Sequence, residues 1–206
     1  MRSRQQGSEA LVLSGSRVVL RTLTEADFDA WSEVRLRCQS WLVKWEPRPA
    51  SAGYPTEDRA NFQARCAVRE RERQLQTGFS FGIFVAGGLR GELTLSSVQR
   101  GPFQSASIGY WIDEAMAGRG YVPEAVIVAT QYAIEELGLH RIEISIIPRN
   151  TPSLRVMEKL AYRREGLAER YLEIDGVWED HVKFAITAEE WQERRGGLLE
   201  AWVDAP

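Results

Sequence analysis

The stretch Trp111–Glu124, WIDEAMAGRGYVPE, constrains this chain more than any other. A segment that reads as a strand ends there, a loop carries Gly118, Arg119 and Gly120, and a long apolar-faced helix comes next. Glycines let the backbone approach a bound group, and the free N–H groups of a helix's first turn attract anionic oxygens. Arg119 adds a cationic side chain beside them. Pyrophosphate binding is the chemistry this suits. The loop has neither the GxGxxG frame of a dinucleotide fold nor the Lys-Ser/Thr end of a P-loop, and a lone GxG is equally a plain tight turn.

The surrounding pattern predicts the architecture. Arg17–Leu23 reads as a strand, and Thr24 with Asp27 as a variant capping box before a short helical region containing Phe28, Trp31, Val34 and Trp41. A second helix is expected from Pro55-Thr56 towards Gln76, with Phe62 and Cys66 on one face and a salt-bridged face at Arg69–Arg73. Phe79–Ala86 and Leu89–Val98 flank Gly87-Gly88, a hairpin signal, and Ser105–Ile112 completes a meander. A helix over Tyr121–Leu137 stops at Gly138, and a strand over Arg141–Ile147 precedes a short helix with Thr151 as N-cap and Pro152 at N1. Strands Leu167–Ile174 and Val177–Ile186 join at Asp175-Gly176, and Thr187 with Glu190 opens a last helix ending near Gly196-Gly197. This order predicts an α/β fold with a mixed sheet, not a doubly wound one.

Composition narrows the function. The chain has 206 residues, the length of one domain, and 26 basic against 29 acidic residues give a net charge of −3. No global basic field exists to hold nucleic acid, although a local patch stays open. Cys38 and Cys66 form no CxxC pair, and the histidines are His140 and His181 alone, so neither a zinc site nor a disulfide framework is expected. No apolar run of membrane length or secretory block appears, and a cytoplasmic protein without a membrane partner is the expectation.

Together with the segments downstream of it, the glycine loop resembles the acetyl-CoA-binding motif of the GNAT N-acetyltransferases: strand, (Q/R)xxGxG loop, helix, then a strand and an Asn-led helix. IIPRNTPSLRVMEKLAYRREG at Ile146–Gly166 is similar to that family's second signature. Leu167–Trp191 and Ser96–Tyr110 resemble the RimJ branch, which acetylates the N-terminus of a small-subunit ribosomal protein. The resemblance implies a single GNAT-like domain over residues 11–195, with residues 1–10 flexible and residues 196–206 a tail. Its central mixed, mostly antiparallel sheet would have about seven strands flanked by helices.

The implied reaction moves an acetyl group from acetyl-CoA to the N-terminal α-amine of a protein, a ribosomal one, by direct attack on the thioester, with no metal and no acyl-enzyme. The implied cofactor contacts are the Trp111 and Ile112 backbone for pantetheine, Gly118, Arg119, Gly120, Tyr121 and Val122 for pyrophosphate, Asn150 for pantetheine or for ordering the loop, and Ser153 for the CoA sulfur. Three positions depart from the family pattern: Ala115 replaces the first Gln/Arg, Met157 the acid tyrosine, and Ser107 a strand glutamate. Ser153 is then the expected acid, or else an ordinary first-turn serine. Glu92 is the expected base, or else an exposed strand residue. Glu173 is a second candidate, although the position matching the RimL-like glutamate is Leu172, and His181 is a third, or else a sheet hydrogen-bond partner. Trp41, Trp45 and Tyr54 either shape the acceptor channel or pack under a lid. Two rival readings remain: acetylation of a small amine such as a polyamine or aminoglycoside, and a non-catalytic acyl-CoA-binding module. A monomer and a homodimer are both compatible with the sequence.

Overall fold

Alternating apolar side chains organise one eight-stranded sheet in the computed structural model, which describes residues 11–47 and 58–204. The strands are β1 (Val12–Ser14), β2 (Val18–Arg21), β3 (Phe79–Val85), β4 (Gly88–Gln99), β5 (Ser105–Ile112), β6 (Arg141–Ile146), β7 (Arg163–Ile174) and β8 (Val177–Thr187). Their order is β1-β2-β3-β4-β5-β6-β8-β7. The β5–β6 pair is parallel and the other pairs are antiparallel. The helices are α1 (Phe28–Arg37), α2 (Gln39–Leu42), α3 (Arg59–Leu75), α4 (Tyr121–Gln131), α5 (Thr151–Leu160) and α6 (Ala188–Trp202).

Helix α4 is the hub. Every residue from Val122 to Thr130 is buried, as befits a helix covered on all sides. It links β5 to β6, and a π-helical turn at Tyr132–Glu136 prolongs it towards Gly138. Ala125, Val126 and Ile127 pack in the same core as Leu20, Phe81 and Leu93 of the sheet. Where α4 meets Tyr162, the Thr130 and Tyr162 hydroxyls bond each other at 2.7 Å, so neither buried group is stranded.

Several boundaries differ from the sequence expectation. The β3–β4 turn sits at Ala86-Gly87, with φ of 48° and 77°, and Gly88 already belongs to β4. Two consecutive positive φ values match the twist of the flanking strands. The start expected at Pro55-Thr56 lies outside the described residues, and α3 is capped by Asp58, whose side chain accepts from the Ala60 and Asn61 N–H groups. The N-cap of α5 is Asn150 rather than Thr151, which places Pro152 one position deeper. Helix α6 runs through Gly196 and Gly197 to Trp202, because Leu198, Leu199 and Trp202 pack against the main core. The edge strand β1, only three residues long, carries too little pattern to be read from sequence.

The feature that positions the site is a gap in the sheet. β5 pairs with β6 only over Ser105–Ser107, opposite Arg141–Glu143. β5 stays paired to β4 as far as Ile112, and β6 stays paired to β8 as far as Ile146. The two strands therefore splay beyond Ser107, leaving facing main chain on both sides unpaired within the sheet.

Candidate active site

Two cavities share a wall at this splay. One, of about 500 Å³, lies between the Gly118–Val122 turn and α5. The other, of about 790 Å³, reaches between β4, β6 and the β7–β8 hairpin. Trp45, Glu46, Tyr110, Trp111, Asn150 and Ser153 border both.

The first cavity is built from the glycine loop. Gly118 and Gly120 have φ of 76° and 87°, and Gly120 is the N-cap of α4. A Cβ on Gly120 would come within 3.2 Å of Arg17 Nη2. Gly118, Gly120, Tyr121 and Val122 line the cavity, as do Trp111, Ile112, Asn150 and Ser153. Arg119 does not: its side chain is exposed, and its carbonyl accepts from Arg17 Nη1 at 3.2 Å. Arg155 and Lys159 supply cations to this wall instead. They stand four apart on α5, a spacing visible in sequence but lost among many charged residues.

Asn150 works locally as well as at the cavity. Its Oδ1 accepts from the Ser153 N–H at 3.3 Å, capping α5 and fixing the turn that brings the Ser153 hydroxyl to both cavities. Ser153 is therefore a first-turn residue that also faces the junction. Met157 is fully buried in the core, and Ser107 lies in the paired part of β5 opposite Ser96 and Glu143. The Ala115 N–H donates to Asp113 Oδ1 at 3.1 Å.

Glu92 lines the second cavity and is no exposed strand residue, its side chain being 14% accessible. Trp31 Nε1 donates to its Oε1 at 2.6 Å, and Arg65 Nη1 and Nη2 reach the same oxygen at 3.2 and 3.3 Å. Among the described residues no hydrogen bond engages Oε2. One oxygen is anchored and the other is available to accept. The anchors come from α1 and α3, far away in sequence, which is why pattern reading could not supply them.

His181 also borders this cavity and is buried. Its Nδ1 lies 3.0 Å from the Glu179 carbonyl oxygen. A carbonyl only accepts, so Nδ1 carries a proton, and no hydrogen bond among the described residues engages Nε2. Glu173 is exposed on β7 opposite Trp178 and lines neither cavity, whereas Leu172 lines the second. Trp41 faces the first cavity and Trp45 both, and Tyr54 lies outside the described residues. Glu46 is held by Arg35 through bonds of 2.6 and 2.7 Å, and its carbonyl accepts from the Asp175 N–H at 3.1 Å. The roof over the junction is thus tied to the tip of the β7–β8 hairpin.

A glycine-capped central helix, a splayed parallel strand pair and two cavities meeting at the splay define an acyltransferase site. Residues 17–163 match the profile of the acetyltransferase (GNAT) domain, and the chain belongs to that family and is an N-acetyltransferase. It is 35% identical over 179 residues to the probable N-acetyltransferase YjcK of Bacillus subtilis, covering 85% of this chain and 96% of that one. It is 33% identical over 184 residues to the [ribosomal protein uS5]-alanine N-acetyltransferase of Escherichia coli, covering 87% and 92% respectively. The solved structure of Mycobacterium smegmatis RimJ in complex with CoA-disulfide superposes with a TM-score of 0.85 at 34% identity, over 93% of each chain.

Proposed function

We propose that this enzyme acetylates the N-terminal α-amine of a ribosomal protein, using acetyl-CoA held in the first cavity and the acceptor amine delivered through the second. The carrying observation is the shared wall: six residues border both cavities, so two substrates entering separately meet there. The acceptor class is supported by the name of the Escherichia coli relative, and the cosubstrate by the CoA bound to the Mycobacterium smegmatis structure. The positive-φ loop and the first-turn amides of α4 fit a pyrophosphate, with Arg155 and Lys159 as cations beside it. Such a protein would act in the cytoplasm.

The chemistry comes from the groups at the junction. An α-amine must be neutral to attack, and at pH 7 about one in seven is, against about one lysine side chain in 2,500. Glu92 Oε2 takes the proton the nitrogen sheds as the new N–C bond forms, directly or through one water. The electron pair of the breaking C–S bond leaves on sulfur, where the Ser153 hydroxyl donates. His181 is the second reading for the base, favoured by its free Nε2 at the same cavity.

Matched peptides test the acceptor: one with a free N-terminus and no lysine, one with a blocked N-terminus and one lysine, each incubated with acetyl-CoA and analysed by mass spectrometry. Faster modification of the free N-terminus is expected. Faster modification of the blocked lysine peptide, or transfer only to small polyamines, overturns the reading.

A further inference from the structure

A buried polar group without a partner calls for a reason, because its desolvation is uncompensated. The Tyr110 hydroxyl is such a group: it is buried and makes no hydrogen bond among the described residues. Tyr110 belongs to the part of β5 beyond Ser107, where β6 has already turned away. Its side chain borders both cavities. At the same wall the Glu46 carboxylate is committed to Arg35, and Asn150 Oδ1 to the α5 cap. The Ser153 hydroxyl stands close to the phenol without forming a hydrogen bond to it, so two hydroxyls sit together where the substrates meet.

We propose that Tyr110 is a second hydrogen-bond donor to the sulfur of the departing CoA thiolate, working beside Ser153. The inference rests on acetyl-CoA occupying the first cavity, and it is independent of which amine accepts the acetyl group. In the transfer the amine lone pair forms the N–C bond, the C–S bond breaks with its pair on sulfur, and the proton lost by nitrogen ends on sulfur. Tyr110 gains and loses no proton in this sequence. Burial pushes its phenol far above the ordinary tyrosine value, against a smaller opposing pull from Ser153, so it remains a donor throughout. A charge developing on sulfur gives the phenol the partner it lacks, and an interaction made only as charge develops raises kcat rather than affinity.

The first measurement uses the full chain with CoA alone and needs no acceptor; the second reads acetyl transfer from acetyl-CoA to a peptide N-terminus. The ultraviolet absorbance of the thiolate reports the pKa of bound CoA, an ordinary thiol lying near ~8.5. Tyr110→Phe should raise that pKa by about one unit, and lower kcat for acetyl transfer about 10- to 100-fold, the worth of a hydrogen bond to a charged acceptor. Affinity for CoA in its thiol form should stay within about twofold, and Tm should be unchanged or higher because the stranded hydroxyl is gone. Wild-type thiol titration and kcat in Tyr110→Phe overturn the proposal. A lower Tm with an unshifted titration also overturns it, by showing a packing role. A titration moved by Ser153→Ala and not by Tyr110→Phe removes Tyr110 from the sulfur while leaving the acetyl-CoA reading intact. Wild-type protein that does not bind CoA removes both.

Discussion

Arg17 and Glu124 stand 107 residues apart and are bonded through both main chain and side chain. The Arg17 N–H donates to Glu124 Oε1 at 2.6 Å, the Val18 N–H joins it at 3.0 Å, and Arg17 Nε reaches Oε2 at 2.9 Å. The carboxylate has no solvent exposure, and the other guanidinium nitrogens lie on the carbonyls of Arg119 and Gly120. A single acidic residue thus ties the turn between β1 and β2 to the glycine loop proposed to receive the cofactor.

Glu124→Ala should be among the most damaging substitutions outside the junction. It leaves two main-chain donors and a guanidinium without their acceptor, and a loss of about 3 kcal/mol is expected, read by urea denaturation. Below the transition, CoA affinity measured by calorimetry should also fall, because Arg17 no longer holds the loop carbonyls. Retained stability and affinity together would contradict the role given to this contact.

Gly120→Val should weaken CoA binding at least about tenfold with a smaller effect on kcat at saturation. A branched side chain is strained at a φ of 87°, and its Cβ presses on Arg17 Nη2 at 3.2 Å. Isothermal titration with CoA decides the matter; wild-type affinity would count against the loop as the pyrophosphate site.

Ser153→Ala should lower kcat about 100-fold or less, with CoA binding unchanged, since a thiol of pKa ~8.5 is already a fair leaving group. Asn150→Ala separates the capping function, and should cost about 1 kcal/mol of stability besides loosening the turn that carries Ser153. Steady-state kinetics and thermal melts of the two variants check both statements.

The two base candidates part company in their variants. If Glu92 accepts the proton, Glu92→Gln should lower kcat about 100-fold or more while His181→Gln stays within about tenfold of wild type. The pH profile of kcat/KM for each variant reports which group has been lost. The reverse ranking assigns the base to His181.

Acid stability should depend on Asp113. Burial alone would raise its carboxyl, but the bonds from Arg37, the Ala115 N–H and Cys38 outweigh it and hold the group below the ordinary carboxylate value. A lowered folded pKa means stability that is fully present above the unfolded value of ~3.9 and lost as pH falls through the folded one. Asp113→Asn should therefore cost about 2 kcal/mol at neutral pH and flatten the acid limb. Denaturation between about pH 2 and 7 tests this.

Legibility in the sequence depends on range. Ser105–Ile112, the Thr187 cap and the Asp175-Gly176 turn are local signals, and the structure reproduces them. Gly196 and Gly197 mislead because Leu198 and Trp202 gain tertiary packing that outweighs a weak helix propensity. At the cavities the glycine loop is a local pattern, whereas Asn150 and Ser153 stand out only through the family resemblance. Tyr110, the Trp31 and Arg65 anchors of Glu92, and the free Nε2 of His181 come together only through the fold, and no spacing announces them.

An open strand invites another chain to pair with it, and proteins normally blunt such edges. Here the outermost strands obey that rule: β1 has three residues, and β7 is irregular between Ala168 and Leu172. The main chain of β5 past Ser107 is different, being long and regular yet enclosed between β4 and β6. The fold thereby keeps an unpaired extended edge inside the sheet instead of at its outer rim. In the proposed reading, the gap that withdraws this edge from the rim is also the one that offers its main chain to a slender ligand.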